Sequence, residues 1–333
     1  MTSSIRNVRI VSTGIYIPPK VVTAEEMDER LGCEPGWVEK KTGVMKRHFA
    51  ENITASQMAA HAIHEALRVA ELTSSDIDAI VCTSGTMEQP LPYTAALIQE
   101  ALGWQDTAIP CLDINTSCLS FVTGFDVMSY LVAAGRYNRV ILVASEIASV
   151  GLDYENKESA ALMGDGAAAV IIERTPDGES GRILASHLET HSEGAHLSEV
   201  PAGGTKVPGS SRGISPRQFS FQMDGLKVFK LASQKMGPFC QNLCAQAQLT
   251  LDDLDLVVPH QASMMSLRLI RGKLNIAKDK WMVTVQDYGN TIAASIPMGL
   301  HLAIQQGKLK RGDRVMLVGT SAGLSVGGMI FEY

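Results

Sequence analysis

The chain has 333 residues, a formal net charge of -6 and a pI near 5.8. That balance speaks against a nucleic-acid binder, whose affinity comes from neutralising phosphates. With 45% hydrophobic and 19% charged residues, it can bury a large core as two domains or one double domain. No apolar run approaches the roughly 18 residues that span a bilayer. The start, Met1-Thr2-Ser3-Ser4-Ile5-Arg6, leads into a strand pattern rather than a signal-peptide core. The expected location is therefore the cytoplasm, with no membrane partner. The cysteines are Cys33, Cys82, Cys111, Cys118, Cys240 and Cys244, with no Cys-x-x-Cys pair. They read as free thiols, and no metal site is expected.

Val8 to Tyr16 alternates into a strand that Pro18-Pro19 ends. Residues 24–48 are a polar helix-and-loop region holding Trp37. Gln57 to Glu71 has apolar residues at helical spacing, Asp78 to Thr83 is a short buried strand, and Thr94 to Leu102 is a helix after a proline-punctuated loop. Ala108 to Ile114 reads as a strand. A helical pattern begins at Cys118 and runs to about Ala134. Gly135 stops it, and Val140 to Ser145 is a fully apolar strand. Gly164-Asp165-Gly166 turns the chain into the strand Ala167 to Glu173. Residues 175–221, rich in Gly, Ser, Pro and His, read as a strand plus a surface excursion. Met223 to Ala245 is helical, Asp255 to Val258 is a strand and Met264 to Leu274 is a helix. Thr291 to Gln306 is a helix closed by Gly307. Arg314 to Val318 and Gly327 to Tyr333 are the last strands. Alternating strands and helices predict mostly parallel, buried sheets.

An internal repeat is visible. Ala70-Glu71-Leu72-Thr73-Ser74-Ser75-Asp76-Ile77-Asp78-Ala79-Ile80-Val81 matches the twelve residues from Ala247 to Val258 at a constant offset of 177 (247 minus 70). A second echo joins Cys118, 17 residues before Gly135, to Asn290, 17 before Gly307. The expected organisation is two pseudo-repeated halves. Residues 1–173 carry Cys118. Residues 174–333 carry His260 and Asn290, with 174–222 as the strand and excursion.

Cys118 sits where a strand turns into a helix, so unpaired N–H groups and the positive helix end should lower its thiol pKa below the usual value of about 8.5. Taken alone it defaults to a buried structural cysteine, and Asn290 to a helix cap. A duplicated fold changes that expectation. It brings Cys118, Asn290 and His260, which follows the repeated strand, to loop ends on one side of the sheets.

At these residues the chain resembles the β-ketoacyl-acyl carrier protein synthase III family of thiolase-fold condensing enzymes. The resemblance spans essentially the whole chain. It rests on Asn115-Thr116-Ser117-Cys118, Gly164-Asp165-Gly166, Pro259-His260-Gln261-Ala262, Gly289-Asn290-Thr291 with Ala293-Ala294-Ser295, and Ser321-Ala322-Gly323-Leu324 before Gly327. It implies a thiolase-like duplicated α/β fold in five αβαβα layers. It also implies an acyltransferase in which Cys118 takes an acyl group from a thioester, with an oxyanion hole from the N–H groups of Cys118 and Gly323. His260 and Asn290 would stabilise the enolate formed when a malonyl thioester loses CO₂, giving a β-ketoacyl thioester. No cofactor is required, and a homodimer is expected.

By the same resemblance Trp37 and Lys157 flank the adenine of coenzyme A, and Leu91 and Phe229 line the acyl pocket. The basic tract Arg268, Arg271 and Lys273, continued by Lys278 and Lys280, would face an acidic acyl carrier protein. The chain also departs from the family pattern. Lys157 replaces an arginine, Leu119-Ser120 a pair of small residues, Ser263 an asparagine, Ser321-Ala322 two glycines, and Met265 a docking arginine. Acyl and carrier choice therefore stay open. The readings are fatty-acid initiation, a specialised-metabolite condensation of the quinolone-type or head-to-head kind, or acyl-thioester hydrolysis by the same Cys-His-Asn set. A degradative thiolase is disfavoured, because no cysteine follows Cys244.

Overall fold

Runs of small and β-branched residues build two large sheets, which the computed structural model describes within residues 5–333. The first sheet holds β1 (Val8–Tyr16), β2 (Ala79–Cys82), β3 (Cys111–Asp113), β4 (Arg139–Glu146) and β5 (Gly166–Arg174), in the order β1-β5-β4-β2-β3. The second holds β6 (Arg182–Thr190), β7 (Leu256–Pro259), β8 (Arg314–Ser321) and β9 (Ser325–Glu332), in the order β7-β8-β9-β6. Read from its other edge, the second sheet repeats the first four places of the first sheet. The fifth place is taken by the segment around Trp281, where the Val257 N–H donates to Lys280 O at 2.7 Å and the Met282 N–H to Val257 O at 2.9 Å.

The repeat seen in the sequence is repeated in hydrogen bonds. Asp78 N–H donates to Arg139 O, and Asp255 N–H to Arg314 O, both at 2.9 Å. Each aspartate side chain then accepts the arginine N–H, at 2.9 and 2.8 Å. Thr73 with Asp76 and Thr250 with Asp253 form matching capping boxes.

Six helices cover the sheets: α1 (Ala55–Ala70), α2 (Thr94–Ala101), α3 (Ser120–Ala133), α4 (Gly225–Gln246), α5 (Met264–Lys273) and α6 (Ser295–Gln305). Phe121 and Phe125 of α3 and Leu300 and Ala303 of α6 share one core with strands of both sheets, so these two helices form the middle layer. Along β4, Val140 and Leu142 face that core while Ile141 and Val143 face α1 and α2. Helices α4 and α5 pack on the far side of the second sheet. This gives the five layers. The period-two alternation of uniformly apolar strands buries both faces.

Three expectations need correction. The sheets are mixed: β2–β3, β2–β4 and β7–β8 are parallel, while β1–β5, β4–β5, β8–β9 and β6–β9 are antiparallel. Parallel neighbours need a long crossover. The β8–β9 link is a tight turn at Ala322-Gly323-Leu324, and β4 and β5 are joined by short helical turns only. The helix after Cys118 begins at Ser120. The helix after Asn290 begins at Ser295, preceded by a 3₁₀ turn Ile292–Ala294. The strand before Cys118 narrows to Cys111–Asp113. The excursion contains short 3₁₀ turns and a two-residue pairing of Ser198–Glu199 with Gln222–Met223.

Candidate active site

Cys118 lies in a sharp turn between β3 and α3. Ser117 adopts φ 56°, a left-handed conformation uncommon for a residue with a Cβ. Asn115 Oδ1 accepts the Ser117 N–H at 2.8 Å, and Ser120 Oγ accepts the Thr116 N–H at 2.9 Å, so the turn is closed by its own side chains. Cys118 is partly open to solvent. Packing around its sulfur nevertheless pushes the thiol up to about 12. The nearby Glu146 charge pushes the same way, while the Ser117 hydroxyl and the cysteine's own N–H oppose them. This reverses the expected lowering. The first helical residue is two positions beyond the sulfur, and dehydration outweighs the helix end.

His260 follows β7 and is buried. Its Nδ1 lies 2.7 Å from Ser295 Oγ. That oxygen also receives the Gln261 N–H at 3.4 Å and has no other acceptor for its own proton among the described residues. The hydroxyl therefore donates to Nδ1, which leaves the ring proton on Nε2. Burial drives the imidazole pKa down to about 4, so the ring is neutral near pH 7. Gln261 braces this loop. Its Nε2 donates to Pro259 O at 2.8 Å, and its Oε1 accepts the N–H groups of Thr284 and Val285 at 2.8 and 3.1 Å.

Asn290 is held from the first half of the chain. Its N–H donates to Leu162 O at 2.8 Å, and its carbonyl accepts the Gly164 N–H at 3.1 Å. Its Oδ1 accepts the Ile292 N–H at 3.0 Å, which orients the carboxamide and leaves Nδ2 to donate elsewhere.

Two glycines draw these segments together. A Cβ built on Gly85 would stand 2.7 Å from Ile292 Cγ2 and 3.2 Å from the Ser117 carbonyl. One on Gly319 would stand 2.6 Å from His260 Cβ and 3.3 Å from Leu119 Cδ2. The residues on either side of Cys118 thus meet the Asn290 segment at one glycine and His260 at the other. Gly323 closes the β8–β9 turn with φ 143°, a region L side chains rarely adopt. No oxygen accepts the Gly323 N–H among the described residues.

The remaining candidates fall elsewhere. Trp37 is half-buried and packs on a small cluster with Ala160 and Ala161, while Lys157 Nζ donates to Gly32 O at 3.0 Å, so both lie on one surface. Leu91 is 83% exposed. Phe229 is half-buried on α4, two residues before Leu231. A Cβ on Gly194 would meet Leu231 at 3.0 Å and Leu324 at 2.7 Å, which places this part of α4 near the Gly323 turn. Arg271 donates to Ile276 O at 2.7 Å, and Lys273 to Ser233 O, so both are held by their own chain. Arg268 is exposed and has no hydrogen bond or ion pair among the described residues. No three His, Cys, Asp or Glu side chains among the described residues are grouped to hold a metal ion.

Glu146 and the role of Ser295 were not singled out from the sequence. The visible signal was a carboxylate ending an otherwise apolar strand, in Ser145-Glu146. The Glu146 side chain accepts from Gly85, Thr86 and Ala293 beside the two key turns.

Comparison with known proteins identifies the family. Residues 112–192 match the model described as 3-Oxoacyl-[acyl-carrier-protein (ACP)] synthase III, and residues 244–333 match its C-terminal model. A relative from Aquifex aeolicus named "Beta-ketoacyl-[acyl-carrier-protein] synthase III" is 32% identical over 325 residues, covering 98% of this chain and 99% of the relative. The chain belongs to this family. A Solibacter usitatus protein of the same name is 31% identical over 327 residues, covering 98% of each chain. The crystal structure of 3-oxoacyl-[acyl-carrier-protein] synthase III from Aquifex aeolicus superposes with a TM-score of 0.88 at 31% identity, covering 98% of this chain and 100% of that one. The chain is accordingly an acyltransferase with the thiolase-like fold. Among the described residues, no helix is long and apolar enough to cross a membrane.

Proposed function

We propose that the chain condenses an acyl group, carried on Cys118, with a malonyl thioester to form a β-ketoacyl thioester. The observation that carries this reading is the packing of Ser117 and Leu119, on either side of Cys118, around Gly85 and Gly319 with the Asn290 segment and His260 of the other half. In the first step Cys118 attacks the acyl thioester, the acyl–sulfur bond to coenzyme A breaks, and the thiol proton leaves with the departing thiol. The N–H groups of Cys118 and Gly323 receive the negative oxygen. Such donors are typically each worth about 10²–10³ in rate.

In the second step the malonyl carbon–carboxylate bond breaks and CO₂ leaves. The electron pair passes to an enolate whose oxygen accepts from His260 Nε2–H and Asn290 Nδ2–H. The carbanion attacks the acyl carbonyl and expels Cys118 as thiolate, which takes a proton from solvent. A neutral imidazole suits this role, because a donor is needed and the ring does not ionise near pH 7. The reading needs no cofactor.

Trp37 and Lys157 are proposed as the coenzyme A surface, and Phe229 as an acyl-pocket residue. Leu91 would line a pocket only across a homodimer, because its side chain points into solvent in its own chain. A carrier protein would meet Arg268, since Arg271 and Lys273 are engaged. The expected setting is the cytoplasm.

The test feeds a panel of straight-chain acyl-coenzyme A compounds with and without carboxyl-labelled malonyl-coenzyme A or a malonyl carrier protein. Labelled CO₂ released in step with a β-ketoacyl product supports condensation. Free acid released at the same rate without malonate refutes it in favour of hydrolysis.

A further inference from the structure

Glu146 ends β4 and is fully buried. Its carboxylate accepts the Gly85 N–H, the Thr86 N–H at 3.2 Å, the Thr86 hydroxyl at 2.5 Å and the Ala293 N–H. Two segments are tied through it. Gly85 abuts Ser117, and its carbonyl accepts from Asn115 Nδ2 at 3.2 Å, so this arm reaches the turn that presents Cys118. Ala293 lies in the 3₁₀ turn whose Ile292 N–H orients Asn290. The Ile292 backbone has φ 48°, costly for a β-branched residue, so something must hold it there.

We infer that Glu146 is a positioning residue for condensation: as an acceptor of hydrogen bonds from both halves, its carboxylate sets the Asn290 segment against the acyl-carrying turn. This rests on the proposed condensation. Every backbone partner is a donor and cannot reverse. When the carboxyl gains a proton, only the Thr86 hydroxyl can turn round to accept it, and the remaining donors compete for fewer lone pairs.

Burial pushes this carboxyl up to about 7 against its four donors. Its charge acts on Cys118 and Cys82. Acylation masks the first, and burial holds the second up to about 12. His260 titrates near 4, so the pH response of the acylated site near neutrality falls to Glu146.

The test separates the half-reactions. Acyl transfer to Cys118 is followed by intact mass, using an acyl-coenzyme A that labels the parent. Condensation is then measured in a single turnover of the pre-acylated enzyme with malonyl thioester. Glu146→Gln places an amide NH₂ against N–H donors. It is expected to slow condensation about 10- to 100-fold, the scale of small misplacements, without slowing acylation by more than about threefold, since losing the Glu146 charge only eases ionisation of the Cys118 thiol. Thr86→Val, at an exposed position, removes one donor, raises the carboxyl pKa, and moves the midpoint of the condensation pH profile upward. Thr86→Val decides the matter if Glu146→Gln does not fold. Parent-like condensation in Glu146→Gln, both half-reactions falling together, or an unmoved midpoint in Thr86→Val would overturn the inference. A parent that takes no acyl group overturns the condensation reading itself, which the two outcomes keep apart.

Discussion

Replacing Ser295 with alanine probes the state of His260 most sharply. The hydroxyl sits 2.7 Å from Nδ1 and also receives the Gln261 N–H. Its removal strands a buried ring nitrogen and weakens a loop contact, at a cost of about 1–3 kcal/mol. It also removes the bond that keeps the proton on Nε2. If that cost appears wholly in the condensation transition state, the rate falls about 5- to 150-fold. Acyl transfer to Cys118 should stay close to the parent rate, because the proposed oxyanion site is made of backbone N–H groups with which Ser295 makes no hydrogen bond. The assay pairs intact-mass kinetics of acylation with single-turnover condensation, and a melting curve confirms folding. Equal losses in both steps, or no loss in condensation, would refute the assignment of His260 as an oriented neutral donor.

Other outcomes follow from the same geometry. Gly319→Ala puts a methyl 2.6 Å from His260 Cβ and should slow condensation about 10- to 100-fold, measured as labelled CO₂ release. Phe121, fully buried between the sheets, should cost about 3–5 kcal/mol as alanine in denaturant unfolding. Burial lowers the His260 pKa from 6.5 to about 4, so the unfolded chain binds the proton first as pH falls. Stability should drop from pH 6.5 toward 4, and His260→Gln should flatten that part of a stability–pH curve. The resting Cys118 thiol keeps its proton, so its alkylation rate should still be rising well above the midpoint of a free cysteine. A plateau near neutral pH would contradict this.

Much of the fold was legible in the sequence because it is written twice. The Thr73–Asp78 and Thr250–Asp255 blocks recur at one offset and make the same capping and cross-strand bonds. The continuous apolar runs in Val140–Ser145 and Ala167–Glu173 mark strands covered on both faces. What periodicity does not carry is strand direction. Only the β8–β9 pair follows from its link, because Ala322-Gly323-Leu324 is too short to cross over. Nor does it carry the delayed helix starts after Cys118 and Asn290. There Ser117 and Ile292 take left-handed backbone angles that local preference disfavours. Nor does it carry the direction of the thiol's pKa shift. A sequence shows the helix that follows a cysteine and not the packing that dehydrates its sulfur.

The proposed condensation requires Cys118 to carry the acyl group. Incubation with acyl-coenzyme A, then intact mass and peptide mapping, tests it directly. A single acyl adduct on Cys118 that disappears when malonyl thioester is added is the expected result. An adduct on Cys82, Cys111 or another residue, or one on Cys118 that malonyl thioester leaves in place, would contradict it.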